Sequence, residues 1–435
     1  MALEPVEEKK PAVLASARKV DITPDMSLGL AGNGNQEFGV DVGEPLEANL
    51  AAFVIGRQKF LWIAVDALYV GDFFISKVRN LIGEMPGWTV SFFATHSHNA
   101  PALDLTKPLL GKASKNWVSR VAQLVASEVF NLMSVDFADS TGRATAFDLS
   151  GGISRRVLKP VSISRRGLHF WKAVSGVNSE AQIDARCNVF VLADSRSLRP
   201  IFAVINWPCH PVGEPKGFGY SPSFPGAMRS AIADFLGSAD LPILFLQGFS
   251  SEIRPDAPET NIPRRTGLLA QVFGPGYSNF STEGLRKWRE DLVTRFCESL
   301  RKASWNRLSF DQLYVRETQL DLGQIFPGIT PRPFATVLRI RLSARLVVLA
   351  ISGEVPSSCS LRLRAILGEE TIAIAAGCSG DTVGYLPTAR FRREKGYEGF
   401  TFTSVFGLPK VSNNSGEYLD QLVEEAGFEL KGSVT

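Results

Sequence analysis

Two histidines one residue apart, His96-Ser97-His98, are the first residues whose types and spacing could do chemistry. On a strand, residues two apart point to the same side, so both imidazoles could face one metal ion. The same spacing serves equally well for two hydrogen-bonded loop histidines. The chain holds only 4 histidines. A third, His210, lies between Pro208 and Pro211, and the proline that follows it stiffens the backbone carrying the ring. Glu354 follows Gly353 at the end of an apolar run, where a carboxylate is either a ligand or the cap of the next helix. Tyr385 stands shortly after a Gly-Cys-Ser-Gly-Asp turn. His169, in Gly-Leu-His-Phe, reads as a packing residue.

The elements that must hold these side chains share one pattern. Short apolar runs read as buried strands at Phe60 to Asp66, Thr89 to Ala94, Ile201 to Asn206, Pro242 to Leu246, Leu346 to Ile351 and Thr371 to Ala376. Four of them release His96, His210, Glu354 and Tyr385 just after the strand ends, the edge at which α/β sheets bind ligands. Helical spacing joins Trp117, Val121, Leu124, Val125 and Leu132, and again Leu285, Trp288, Leu292, Phe296 and Leu300. Pro225-Gly226 announces a helix over Ala227 to Leu236, and Asn414 to Phe428 predicts a closing helix. The Pro-, Gly- and Arg-rich stretch from Glu252 to Asn279 predicts a long surface excursion. The fold expected is α/β, a mixed β-sheet core flanked by helices. It forms one large catalytic domain over residues 15–435, with the metal site at strand C-terminal ends, behind a flexible arm over residues 1–14.

Bulk properties narrow the partners. The 47 basic and 44 acidic residues nearly balance at net +3 and are scattered, which speaks against a nucleic-acid partner. The densest basic stretch, Arg390, Arg392, Arg393 and Lys395, reads as a solvated loop. Cys187, Cys209, Cys297, Cys359 and Cys378 are odd in number and lack CxxC spacing, so neither a disulfide framework nor a structural zinc knot is expected. No apolar stretch follows a basic start, and no run of about 18 apolar residues occurs, so neither a secretory signal nor a spanning helix is expected. The compartment expected is the cytoplasm. The oligomeric state is not legible.

In several short motifs the chain resembles the N-terminal catalytic domain of neutral, non-lysosomal ceramidases and their shorter bacterial relatives. Ala17-Arg18-Lys19-Val20-Asp21-Ile22-Thr23-Pro24 with Leu30-Ala31-Gly32 is similar to the family's opening "ADITP…AG" segment. Ala94-Thr95-His96-Ser97-His98-Asn99-Ala100-Pro101 is similar to its "ATHTHSGP" signature, and Asn206 to Val212 to its "HP" strand exit. Gly353-Glu354 with Arg362 and Arg364 resembles its "PGE…R" segment. Gly384-Tyr385 and Gly396-Tyr397-Glu398-Gly399, with tyrosines twelve residues apart, form the most specific match.

The resemblance runs from about Ser16 to about Pro409. It implies one Zn2+ per chain, held by His96, His210, Glu354 and Tyr385, with His98 behind the ion and facing the substrate. It also implies that Tyr397 donates to the substrate carbonyl, and that Arg155, in Ile153-Ser154-Arg155 beside Arg156, matches the arginine of an "INR" segment. The substrate implied is a small-molecule N-acyl amide.

Amide hydrolysis calls for such a set. Zinc takes N and O donors at about 2.0–2.2 Å and lowers the pKa of a water from about 15.7 towards about 7. A tyrosine hydroxyl stabilises the oxyanion, and losing one such donor costs about 10²–10³ in rate. An amine leaves poorly until protonated, and His98 is the candidate proton carrier. Tyrosine, with a resting pKa of about 10, is expected as a weak zinc ligand or as a phenol.

Other features depart from the family. Gln247-Gly248-Phe249-Ser250-Ser251-Glu252 replaces a segment that usually carries Gly-Asp, and Ser221 to Gly226 stands where longer ceramidases have an Asp-Asn turn. No C-terminal β-sandwich is expected. Phe391, Phe400, Phe402 and Phe406 would suit an apolar mouth for an acyl chain, or core packing. Two rival readings are a zinc esterase or lactonase and a non-catalytic binding protein. A serine hydrolase is disfavoured because no GxSxG occurs.

Overall fold

A strand covered on both faces reads as an unbroken apolar run. The chain uses such strands to build two packed sheets. The computed structural model describes residues 11–32, 43–163, 168–212, 219–258, 280–330, 334–412 and 417–432, with backbone alone at 161–163 and 168–170. Its first strands are β1 (Val13–Asp21), β2 (Glu47–Ile55), β3 (Gln58–Val65) and β4 (Trp88–Ala94). The helices α1 (Asp72–Ile82) and α2 (Lys115–Met133) flank β4 in the chain. Next come β5 (Ala138–Asp148), β6 (Gly152–Ile163), β7 (Leu168–Asn178), β8 (Arg186–Asp194) and β9 (Pro200–Trp207). Helix α3 (Phe224–Phe235), β10 (Ile243–Gln247), β11 (Ile253–Pro255) and α4 (Thr282–Lys302) follow. The last part holds β12 (Asn306–Arg307), β13 (Tyr314–Asp321), β14 (Phe334–Ser343), β15 (Leu346–Ile351), α5 (Ser357–Leu367), β16 (Ile372–Ala376) and α6 (Tyr418–Lys431).

The large sheet runs β10-β9-β8-β5-β1-β2-β3-β4, with β12 on β5. A second runs β13-β14-β15-β16, and β11-β6-β7 form a third. Side-chain alternation joins the first two. Phe60, Trp62 and Ala64 of β3 share a buried cluster with Val204 of β9, Val348 of β15 and Ile374 of β16. Leu61, Ile63 and Val65 point the other way, into the cluster built on α1 and α2. Val347, Leu349 and Ile351 of β15 likewise face α5 and α6, and Ala203, Ile205 and Trp207 of β9 face α3 and α4. Helices thus cover the outer faces of two sheets in one mixed α/β domain. Each fully buried leucine or phenylalanine in these layers contributes about 1.5–3 kcal/mol.

The topology gathers the strand exits. β3 with β4, β9 with β10, and β15 with β16 are parallel pairs, so each pair's C-terminal ends emerge together. The residues leaving β16 tie the exits to one another. Ala94 N donates to Cys378 O at 3.0 Å, Gly377 N to Gln247 O at 2.8 Å, and Cys378 N to Gly353 O at 3.1 Å.

Several expectations are corrected here. The arm expected over residues 1–14 does not extend to 14, because Val13 and Leu14 pair with Ile55 and Val54 in the β1–β2 ladder; residues 1–10 lie outside the described residues. The excursion expected from Glu252 does not begin there, because Ile253–Pro255 is the buried strand β11; residues 259–279 lie outside the described residues. The basic stretch is not a loop: Ala389–Glu394 is a short helix, capped by Thr388 and tied by Arg390 to Glu394 at 2.7 Å. The side chain of His169 lies outside the described residues. All five cysteines are unpaired. Among the described residues no helix is long and apolar enough to cross a membrane.

Candidate metal centre

At the end of β4 the chain turns out of the sheet. Thr95 N still bonds Val65 O at 3.0 Å, but His96 adopts φ 67°. That left-handed backbone costs a non-glycine residue about 1–2 kcal/mol. The strand-alternation argument for His96 and His98 therefore fails, because neither residue is on a strand. The two rings meet edge-on instead, their centroids 5.2 Å apart.

The ligand geometry follows from which ring nitrogens are already engaged. His96 Nδ1 faces the Leu68 carbonyl at 3.0 Å. His210 Nδ1 faces the Ser250 and Ile253 carbonyls at 2.7 and 3.1 Å. A ring nitrogen aimed at a carbonyl carries the proton, so a neutral ring keeps its lone pair on Nε2. Both Nε2 atoms turn to one oxygen, Glu354 Oε2, at 3.6 Å from His96 and 2.9 Å from His210. Two lone-pair acceptors at the shorter distance repel each other unless a proton or a metal ion lies between them. Burial pulls His96 down to a pKa of about 4 against the attraction of Glu354, so at neutral pH that ring is neutral.

The three donor atoms lie within 4.8 Å of one another. Two ligands of a tetrahedral ion at about 2.1 Å stand about 3.4 Å apart, between the two observed separations. These residues fit a divalent metal, and two imidazoles with a carboxylate suit zinc. Burial pushes the Glu354 carboxyl up, but contacts with His96, His210 and Tyr69 outweigh it and hold the group at about 2.

His98 lies beside this group without joining it. Both its ring nitrogens are buried and lack a hydrogen-bond partner among the described residues. Burial, reinforced by His96 and His210, holds its pKa well below the usual range, so the ring is neutral. A buried polar atom left unpaired costs about 1–3 kcal/mol, which a substrate or water partner would recover. Gly32 makes room for the ring: its φ is 86°, and a Cβ there would fall 2.1 Å from His98 Nδ1. The Ala-Gly of the opening motif thus has a steric cause.

Tyr385 joins the site through the backbone and through Arg155. Glu354 N donates to Gly384 O at 2.7 Å and Leu386 N to Glu354 O at 3.0 Å, which sets Tyr385 beside the carboxylate. Its hydroxyl accepts from Arg155 Nη2 at 2.9 Å. Burial raises the phenol's pKa well above its ordinary value, with Arg155 opposing. Tyr397 stacks edge-on against Tyr385 with ring centroids 5.4 Å apart. The Tyr397 hydroxyl makes no hydrogen bond among the described residues.

The two adjacent arginines have separate tasks. A register shift between Ser154 and Arg156 in the β6–β7 ladder lets both reach Glu398. Arg155 Nε bonds Glu398 Oε1 at 2.7 Å and Arg156 Nη1 bonds Oε2 at 2.6 Å. Arg155 continues to Tyr385, whereas Arg156 turns back over the Phe391 ring at 3.9 Å. Gly399 must lack a side chain, because a Cβ would meet Phe391 O at 2.1 Å. Phe391, Phe402 and Phe406 are buried and only Phe400 is exposed, so three of the four phenylalanines are core.

Two solved structures match nearly the whole chain. A neutral ceramidase from Pseudomonas aeruginosa matches with a TM-score of 0.70 at 12% identity, covering 98% of this chain and 75% of that one. A ceramidase complexed with C2 matches with a TM-score of 0.70 at 13% identity, covering 98% and 76%. The fold is that of the neutral ceramidases. No family model and no curated protein matches the sequence.

Within the ceramidase fold the strand exits bring together His96, His210 and Glu354, with His98, Tyr385, Tyr397 and Arg155 around them. Sequence reasoning passed over Tyr69, whose hydroxyl donates to Glu354 Oε1. It also gave no task to Glu398. Tyr69 follows the exit of β3, and the rule applied to the other four strands would have reached it.

Proposed function

We propose that this chain is a zinc-dependent hydrolase of N-acyl amides, with one Zn2+ held by His96, His210, Glu354 and Tyr385. The observation that carries this reading is the pair of imidazole Nε2 atoms turned on one buried carboxylate oxygen in a ceramidase fold. When bound, zinc would polarise the substrate carbonyl and lower the pKa of a water towards about 7. Tyr385, kept as a phenol by burial and steadied by Arg155, would complete the donor set.

His98 is neutral, and its ring nitrogens have no hydrogen-bond partner among the described residues. It would take the proton shed by the attacking water and return it to the leaving nitrogen as the C–N bond breaks, releasing a carboxylic acid and an amine. The Tyr397 hydroxyl would donate to the carbonyl oxygen as negative charge develops there. Ceramide-like amides head the substrate class on the strength of the fold. The test is a screen of N-acyl amides of graded acyl length against zinc-loaded wild type and His96→Ala. Amine release by wild type that is lost in the variant supports the reading. A zinc-loaded wild type that cleaves no amide in the series contradicts it.

A further inference from the structure

Tyr69 is buried, and three neighbours fix its ring. The His96 ring lies 5.2 Å away and Phe406 6.2 Å. Lys107 Nζ sits over its face at 5.3 Å, itself ion-paired to buried Asp104. Asp104 is held in turn by the backbone N–H and hydroxyl of Thr106 at 2.8 and 2.6 Å. A ring clamped in this way cannot swing, so its hydroxyl stays on Glu354 Oε1. The neighbouring residue, Leu68, uses its carbonyl to orient His96. Two consecutive residues leaving β3 therefore aim two side chains that come from the exits of β4 and β15.

A carboxylate with both oxygens free can chelate a cation and fill two of its coordination positions. One whose second oxygen accepts a strong hydrogen bond offers a single donor. Here the engaged oxygen is Oε1, and the oxygen facing both imidazoles is Oε2. We infer that Tyr69 is a positioning residue that confines Glu354 to ligation through Oε2 and so keeps a coordination position open for the substrate. This rests on His96, His210 and Glu354 being a metal site.

The test compares wild type, Tyr69→Phe and Phe406→Leu for zinc affinity by chelator competition and for the visible spectrum of the cobalt-substituted protein. Tyr69→Phe keeps the ring and removes the donor. It is expected to bind zinc about 10–100-fold more weakly, the usual effect of losing such a partner, and to show the weaker absorption of a higher coordination number. Phe406→Leu loosens the ring packing but keeps the hydroxyl, and is expected to keep the wild-type spectrum. Wild type and Tyr69→Phe alike in both readouts overturn the inference alone, as do equal changes in the two variants. A wild type that takes up neither ion overturns the metal reading and the inference with it.

Discussion

Arg155 spans from Glu398 Oε1, at 2.7 Å, to the hydroxyl of Tyr385, at 2.9 Å, and so links the π-helical turn Tyr397–Thr401 to the tyrosine beside Glu354. Glu398 is the anchor of that link and balances two buried guanidinium groups. Glu398→Gln preserves shape but removes the carboxylate that both arginines share, leaving Arg156 its contact with Glu394 at 3.2 Å. Removing one partner of such a buried network costs about 3–5 kcal/mol. Urea unfolding of the variant should show a loss of that size, with zinc still bound at saturating concentration.

His98 should matter according to the leaving group. An amine needs a proton to depart, whereas an activated ester does not. His98→Ala is expected to lower amide turnover by about 10²–10⁴ and turnover of an activated ester by far less. Steady-state kinetics on a matched amide and ester pair decide this; equal losses would remove His98 as the donor to the leaving nitrogen.

Gly32 offers a way to move that imidazole without deleting it. Gly32→Ala sets a methyl against His98 Nδ1 and strains a backbone at φ 86°. A displacement near 1 Å is enough to cost about 10²-fold in rate. The variant should retain the wild-type metal content while kcat on an amide falls. Unchanged kcat would mean that the ring's position is immaterial.

Acid should weaken the metal-free fold in two stages. Folded His96 titrates near 4 and folded His98 well below 6.5, whereas the unfolded chain protonates both near 6.5. The unfolded state then binds more protons, so stability is full above pH 6.5 and drops as the pH falls towards 4. At pH 5 the His96 share is about 2 kcal/mol. Glu354, held at about 2, extends the loss below its unfolded value of 4.5. Urea midpoints at pH 7.5 and 5.0 in the presence of chelator check this, and His98→Asn should shrink the difference.

What the sequence disclosed follows from burial. Strands β3 and β15 are covered on both faces, so their apolar runs stand out. The antiparallel strands β5, β6, β7, β13 and β14 were not recognised. Tyr314–Asp321 buries only Leu320 and exposes Arg316 and Glu317, which blurs any period. The ligands were legible for a related reason: a histidine or carboxylate directly after a buried run is rare enough to notice.

Tyr69 was not, because a tyrosine among apolar residues looks like core, and its partner lies 285 residues away. Glu398 pairs with arginines more than 240 residues distant, a relation no local pattern encodes. The Leu68 and Ser250 carbonyls that orient the two imidazoles were invisible, because every residue carries one.

The central claim concerns a cation shared by His96, His210 and Glu354. It is tested most directly by elemental analysis after equilibrium dialysis against zinc, for wild type, His96→Ala and His210→Ala. One zinc per wild-type chain, with occupancy lost in both variants, is the result the account predicts. A wild-type chain that retains no zinc, or alanine variants that retain as much as wild type, would contradict it.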